Sequence, residues 1–209
     1  MLDRAVAETE PHRGNRHGRS QAAREAILQA ADDLLAEKGF AGVTVEGIAK
    51  AAGVAKQTVY RWWSSKTDVL MDAFLEDAAA ELDPPDSGAL ESDLRAHLHT
   101  MAHFLASDDA GAVYRALVGQ AQHDAQLAHT FRARYLHAQQ IRDQQPFVRA
   151  IARGELTADA DVAALAEWLV SRLHYRVIAT GEPVDDSFID AVVDGTLTLC
   201  RRWSTQPRI

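Results

Sequence analysis

Residues 44–66 read TVEGIAKAAGVAKQTVYRWWSSK, a pattern of two short helices joined by a tight turn. Thr44 is placed to cap the first helix by accepting a hydrogen bond from an orphan N–H, and Val45, Ile48, Ala49 and Ala52 give that helix one apolar face. Gly53 stops it. A second helix is expected from about Ala55, with Val59 and Trp63 pointing inward at helical spacing while Lys56, Gln57, Thr58, Tyr60 and Arg61 stay free. Those free side chains are hydrogen-bond donors and acceptors on a rod that fits the major groove, where base edges present a readable pattern.

Upstream, residues 1–18 contain Pro11, Gly14 and Gly18 with scattered charge and no apolar periodicity, which predicts a mobile basic arm whose Arg13 and Arg16 could enter a minor groove. From Ser20 to Lys38, Ala23, Ile27, Ala30, Ala31, Leu34 and Leu35 recur at three- and four-residue intervals, an amphipathic helix that Gly39 closes. This helix and the pair at 44–63 make a three-helix DNA-binding module over residues 19–66, about the least that can bury the inner faces of two short helices.

Downstream the pattern stays helical. Ser65 and Asp68 have the form of a capping box for a helix running to about Leu82, and Pro84, Pro85 and Gly88 then break the chain. Residues 89–106 carry Leu90, Leu94, Leu98, Met101 and Leu105 on one face. A turn is expected over Ser107–Gly111, a short helix over 112–122, and a longer one over 124–153 that is interrupted or kinked at Pro146 and ended by Gly154. Two last helices, 160–179 and 186–203, are separated by Gly181 and Pro183, with Asp185 or Asp186 capping the second. With no convincing strand, the chain reads as all-α: an N-terminal helix-turn-helix module, then a C-terminal helical bundle over residues 67–209 for ligand binding and dimerisation.

Composition agrees. The chain has 209 residues, 47% of them hydrophobic, enough for a small module plus a larger core. Its one cysteine, Cys200, rules out an internal disulfide framework. The first residues lack the apolar segment of a secretory signal and no stretch is long enough to span a bilayer, so no membrane partner and a cytoplasmic location are expected. A net charge of −8 would argue against nucleic acid if it were evenly spread. It is not: residues 11–70 carry nine Lys or Arg against six Asp or Glu, whereas residues 71–209 carry twelve against twenty-one. A basic head on an acidic body suits local attraction to DNA.

The segment AGVAKQTVYRWWSSK (52–66), behind a Thr-initiated helix containing Ile48-Ala49, resembles the N-terminal module of TetR/AcrR-type transcriptional regulators, the tetracycline-repressor family. Residues 152–186, ARGELTADADVAALAEWLVSRLHYRVIATGEPVDD, are similar to the C-terminal half of one subgroup of that family. The resemblance implies a ligand-responsive regulator, expected to be a repressor, that binds a palindromic double-stranded operator as a homodimer and is released by a small-molecule effector. Carried over by position, it implies base-edge contacts for Lys56, Gln57, Thr58 and Arg61, phosphate contacts for Tyr60, Trp62 and Lys66, and a backbone contact at Thr44. Ala55, Gln57 and Trp62 depart from the residues common at those positions, although the Trp62 indole still offers one N–H.

The last two helices are expected to form the dimer interface through Leu165, Leu169, Leu173, Ile189, Val192, Val193 and Leu199, because two amphipathic helices added to a complete core have apolar surface to spare. Met101, His103, Phe104, Tyr114, Phe131, Tyr135, Trp168, His174 and Tyr175 would make an apolar effector pocket with a few polar handles, or else ordinary core. His99 and His103 lie four apart on a helix, but no third ligand is identifiable, so no metal and no cofactor is expected. Two rival readings are a helical-bundle enzyme and a DNA-binding protein without any effector. The first lacks a nucleophile elbow, a phosphate loop or a zinc-protease motif, so no catalytic residue is assigned.

Overall fold

The computed structural model describes residues 16–106 and 110–205, with side chains from Ser20 to Arg201 in those ranges. Among the described residues there are ten α-helices and no strand: α1 (Arg16–Gly42), α2 (Val45–Ala51), α3 (Lys56–Tyr60), α4 (Lys66–Glu81), α5 (Leu90–Ala106), α6 (Ala110–Ala121), α7 (Ala125–Phe131), α8 (His137–Arg153), α9 (Val162–His174) and α10 (Asp186–Thr205). A π-helical stretch, Arg132–Leu136, joins α7 to α8, and another, Tyr175–Thr180, prolongs α9.

Local signals in the sequence place most boundaries. Gly39 leaves helical geometry at φ 65°, within a helix that begins at Arg16 and so takes in the end of the expected arm; residues 1–15, including Arg13, lie outside the described residues. Ser65 caps α4 by accepting from the Asp68 N–H at 3.2 Å, and the Asp68 carboxylate reaches back to the Ser65 hydroxyl at 3.0 Å rather than to its backbone N–H. Asp185, rather than Asp186, caps α10, accepting from the Phe188 N–H at 2.9 Å. The turn expected over Ser107–Gly111 is shorter than predicted, since Ala110 and Gly111 already belong to α6; 107–109 lie outside the described residues.

Pro146 does not interrupt its helix. It denies the Arg142 carbonyl its usual donor, yet α8 runs on from His137 to Arg153, and the irregularity lies upstream in the π-helical Arg132–Leu136.

α4 is the joint of the molecule. It packs on α1 of the N-terminal module on one side and on α6 of the body on the other, burying Val69, Leu70, Met71, Ala73, Phe74 and Ala78. α5 packs against α6, α8, α9 and α10, so the body is helix on helix around a core of Leu94, Leu98, Met101, Phe147, Leu169 and Val193. A polar clasp closes one end: Arg153 pairs with Asp86 at 3.1 Å and Asp93 at 3.2 Å, and Glu155 accepts the Leu90 N–H at 2.8 Å. The clasp uses the orphan N–H at the start of α5 as its anchor. Among the described residues no helix is long and apolar enough to cross a membrane.

Candidate nucleic-acid interface and body cavity

Two hydrogen bonds fix the turn that presents α3. The Val54 N–H reaches the Ala49 carbonyl at 3.0 Å and the Gly53 N–H reaches Lys50 at 3.3 Å, with Gly53 at φ 66°, which is a Schellman stop. Thr44 caps α2 as its side chain accepts the Gly47 N–H at 3.0 Å. Val59 and Trp63 are buried beneath α3, and this leaves Lys56, Gln57, Tyr60 and Arg61 exposed, with Thr58 and Trp62 half-buried.

The exposed groups are braced by one another. Lys56 pairs with Glu46 of α2 and lies 5.3 Å from the Tyr60 ring centre, and the bond to the carboxylate holds its ammonium above the usual lysine value. Arg61 sits 4.5 Å over the Trp62 ring, and Trp62 meets Trp63 edge-on at 5.5 Å. Stacking a guanidinium on an indole restricts its rotamers while leaving its donors at the edge free. The surface thus presents an aromatic-backed strip of polar donors, with Lys56 shared with Glu46 and the Arg61 guanidinium stacked on Trp62.

Lys66 is placed differently from expectation. Its ammonium donates to the carbonyls of Phe40 at 2.5 Å and Val43 at 2.9 Å and lies 4.2 Å over the Phe40 ring. One of those carbonyls lies in the last turn of α1 and the other in the link to α2, so the lysine ties the three-helix module together rather than standing free for phosphate.

Trp63 leads into the body. Its indole N–H donates to Asp72 Oδ2 at 2.9 Å, while Asp72 also takes Arg24 at 3.4 Å and, through Oδ1, Arg134 at 2.7 Å. Arg134 belongs to the π-helical stretch that ends at Leu136.

Within the body, Phe104, Tyr114, Phe131 and Tyr135 gather around Phe74 at ring separations of 4.7 to 6.5 Å, with His174 5.8 Å from Tyr114 and Met101 fully buried. Burial pushes both tyrosine hydroxyls well above the ordinary phenol value. The other expected pocket residues lie elsewhere: Trp168 and Tyr175 are 46% and 66% exposed on the outside of α9 and its extension, and His103 faces a polar cleft shared with Gln29, Asp32, Asp77 and Glu81. Among the described residues no group of three or more His, Cys, Asp or Glu is arranged to hold a metal ion.

A cavity of about 330 Å³ opens between α8 and α9, bordered by Gln139, Gln140, Asp143, Gln144, Glu167 and His174 over an apolar floor. Of the residues expected to line a pocket, His174 borders it and the rest do not. The signal in the sequence was the polar stripe Gln139, Gln140, Asp143, Gln144, of which Gln139 and Asp143 are buried while the apolar Ile141 and Val148 of the same helix are exposed; the partner that marks it, His97 bonded to Asp143 at 2.9 Å, is 46 residues away.

The expected dimer residues are also relocated. Leu165, Leu169, Leu173, Ile189, Val192 and Val193 are at most 2% exposed within a single chain, and Leu199 is half-buried. They fill the chain's own core. What α9 and its extension turn outward is Trp168, Tyr175 and Ile178, with Gly195 of α10 facing the Trp168 indole.

A helix-turn-helix head on an all-helical body is an architecture of transcriptional regulators. Residues 27–73 match the family model "Bacterial regulatory proteins, tetR family", and residues 84–196 match "Tetracyclin repressor-like, C-terminal domain". The chain is 38% identical over 175 residues to the HTH-type transcriptional regulator YdeS of Bacillus subtilis (strain 168), covering 84% of this chain and 88% of that one. It is 29% identical to the DNA-binding transcriptional repressor TetR of Mycobacteroides abscessus, with coverage of 85% and 93%. The crystal structure of the TetR family transcription regulator SCO0332 superposes with a TM-score of 0.72 at 32% identity, covering 84% of this chain and 97% of that one. The chain belongs to the TetR family of transcriptional regulators, DNA-binding homodimers rather than enzymes.

Proposed function

We propose that the chain is a ligand-responsive repressor acting in the cytoplasm, which binds a palindromic operator through two copies of α3 and lets go when a small molecule fills the cavity in its body. The observation that carries this reading is the Trp63–Asp72–Arg134 connection: one carboxylate holds the residue buried under the reading helix and the residue two positions before Leu136 on the cavity wall. A ligand that shifts the start of α8 acts on Asp72, and through it on α3. Switching occupancy from 1:99 to 99:1 needs roughly 10⁴-fold preference for the released state.

In this reading residues 19–66 are the reading unit and 67–209 the effector and dimerisation unit. Lys56, Gln57, Thr58 and Arg61 reach base edges, Tyr60 and Trp62 reach phosphates alongside the N-terminus of α2 at Thr44, and the exposed Trp168, Tyr175 and Ile178 face meets its twofold mate. Two reading helices about 34 Å apart square the discrimination of one. The repressor named among the relatives supports the sign of regulation. The test is selection of duplex DNA from a random pool by the full chain, followed by release with a metabolite library. Recovery of a near-palindrome that some compound displaces is expected; DNA binding that no compound alters would leave a regulator without an effector.

A further inference from the structure

Resting on the reading that the body takes a small ligand, we infer that the cavity between α8 and α9 is built for an organic cation, a molecule with a protonated amine or amidine at one end and an apolar remainder. Asp143 stands on the cavity wall at 4% exposure. Both bonds that reach its carboxylate, from His97 Nε2 at 2.9 Å and Gln139 Nε2 at 2.8 Å, end on Oδ1. Among the described residues nothing reaches Oδ2. His97 is itself fully buried and its Nδ1 meets no partner, so its one hydrogen bond is spent on the same Oδ1. A buried carboxylate with one oxygen left open is costly unless a donor, best a charged one, completes it.

The rest of the wall has the same sign. Glu167 brings a second carboxylate, and His174 donates its Nδ1–H to the Val170 carbonyl at 2.8 Å, which leaves Nε2 as its remaining polar atom. Among the described residues no Lys or Arg borders the cavity; Arg142 is engaged with Asp83 at 3.4 Å and with the side-chain Oε1 of Gln139 at 3.3 Å. An anion would meet two carboxylates and no cation. A neutral ligand would bring the open oxygen of Asp143 only a neutral donor, whereas an N⁺–H donor forms a bond roughly twice as strong. Leu136, Ala163, Ala166 and Val170 receive the apolar part. The volume of about 330 Å³ is at the small end for ligand cavities and suits about a dozen non-hydrogen atoms.

The test uses three probes on the full chain: 4-phenylbutylamine, 4-phenylbutanol and 4-phenylbutyrate, which differ only at the terminal group. Calorimetric titration should show the amine binding at least about tenfold more tightly than the other two, with Asp143→Asn abolishing that preference and Glu167→Gln reducing it. Thermal unfolding of each variant without probe checks that it folds, and the exposed Glu167 supplies the answer if the buried substitution does not. Equal binding of the three, preference for the alcohol or the acid, or no binding of the amine overturns the cation assignment. Ala163→Phe, which narrows the cavity, separates the two levels. If the alcohol or acid binds and this variant blocks it, the body cavity stands and only the charge class fails; if it blocks nothing, the cavity reading fails as well.

Discussion

The Trp63 indole donates to Asp72 Oδ2 at 2.9 Å, joining the end of the reading segment to the first turns of α4. Asp72→Ala removes the acceptor of Trp63, Arg24 and Arg134 together. We expect a loss of about 1–2 kcal/mol, most of it from the indole bond because the arginine pairs are partly screened by solvent, and about a tenfold weaker operator affinity. Urea unfolding and fluorescence anisotropy with labelled duplex measure the two. Wild-type values in both would disconnect Asp72 from the reading head.

Lys66 distinguishes a tie from a phosphate contact. Lys66→Ala leaves the Phe40 and Val43 carbonyls without a donor and should lower stability by about 1–3 kcal/mol while leaving the salt dependence of DNA binding unchanged. An unaltered melting curve with a shallower salt slope would restore the phosphate role.

On α3 the exposed positions divide by chemistry. Gln57→Ala and Arg61→Ala should change which base pairs are preferred, each by about 1–3 kcal/mol at the affected position, whereas Tyr60→Phe should weaken all sequences alike. Trp62→Ala should imitate Arg61→Ala in part, since it removes the ring on which that guanidinium rests. Binding to a library of point-varied duplexes decides, and uniform effects from all four would defeat the division.

The relocation of the apolar residues of α9 and α10 predicts opposite phenotypes on one helix. Leu169→Asp buries a charge in a fully enclosed site and should unfold the chain, at a cost of about 3–5 kcal/mol or more. Trp168→Asp should leave a folded monomer, because Trp168 is half exposed on the outer face. Circular dichroism with light scattering separates these outcomes, and a dimeric Trp168→Asp protein would place the interface elsewhere.

The clasp sets an acid limit. Burial raises the Asp93 carboxyl, but hydrogen bonds from the Ser87 side chain and backbone, together with Arg153, more than reverse this and hold it below its usual value. A carboxyl lowered by folding contributes stability that is complete above the ordinary aspartate range, about pH 4, and is lost as the pH falls through the lowered value. Asp93→Asn should therefore flatten the acid limb of the stability profile and lower the plateau at neutral pH. An acid limb of unchanged steepness would remove Asp93 from it.

Cap and stop residues were legible because they act within four positions of themselves. Thr44, Gly53, the Ser65 and Asp68 pair, Gly154 and Gly181 all sit where their local chemistry puts them. What the sequence concealed depends on distant partners. Periodicity identified Leu165, Leu169 and Leu173 as one stripe but could not say whether that stripe meets its own chain or a second copy; Trp168, Tyr175 and Ile178 fall outside the stripe and form the opposite side. Lys66 looked free because the carbonyls it binds are 23 and 26 residues earlier. The π-helical stretches gave no sign, since an extra residue per turn leaves no compositional mark.

Val59 and Trp63 are the buried residues of α3 and the turn behind it among the described residues, and both lie on its inner side. The outward residues can therefore be exchanged with little penalty to folding, so a new target sequence is reachable by a handful of surface replacements while the effector machinery stays as it is. Such a division lets a lineage rewire which promoters it governs without having to reinvent the sensor.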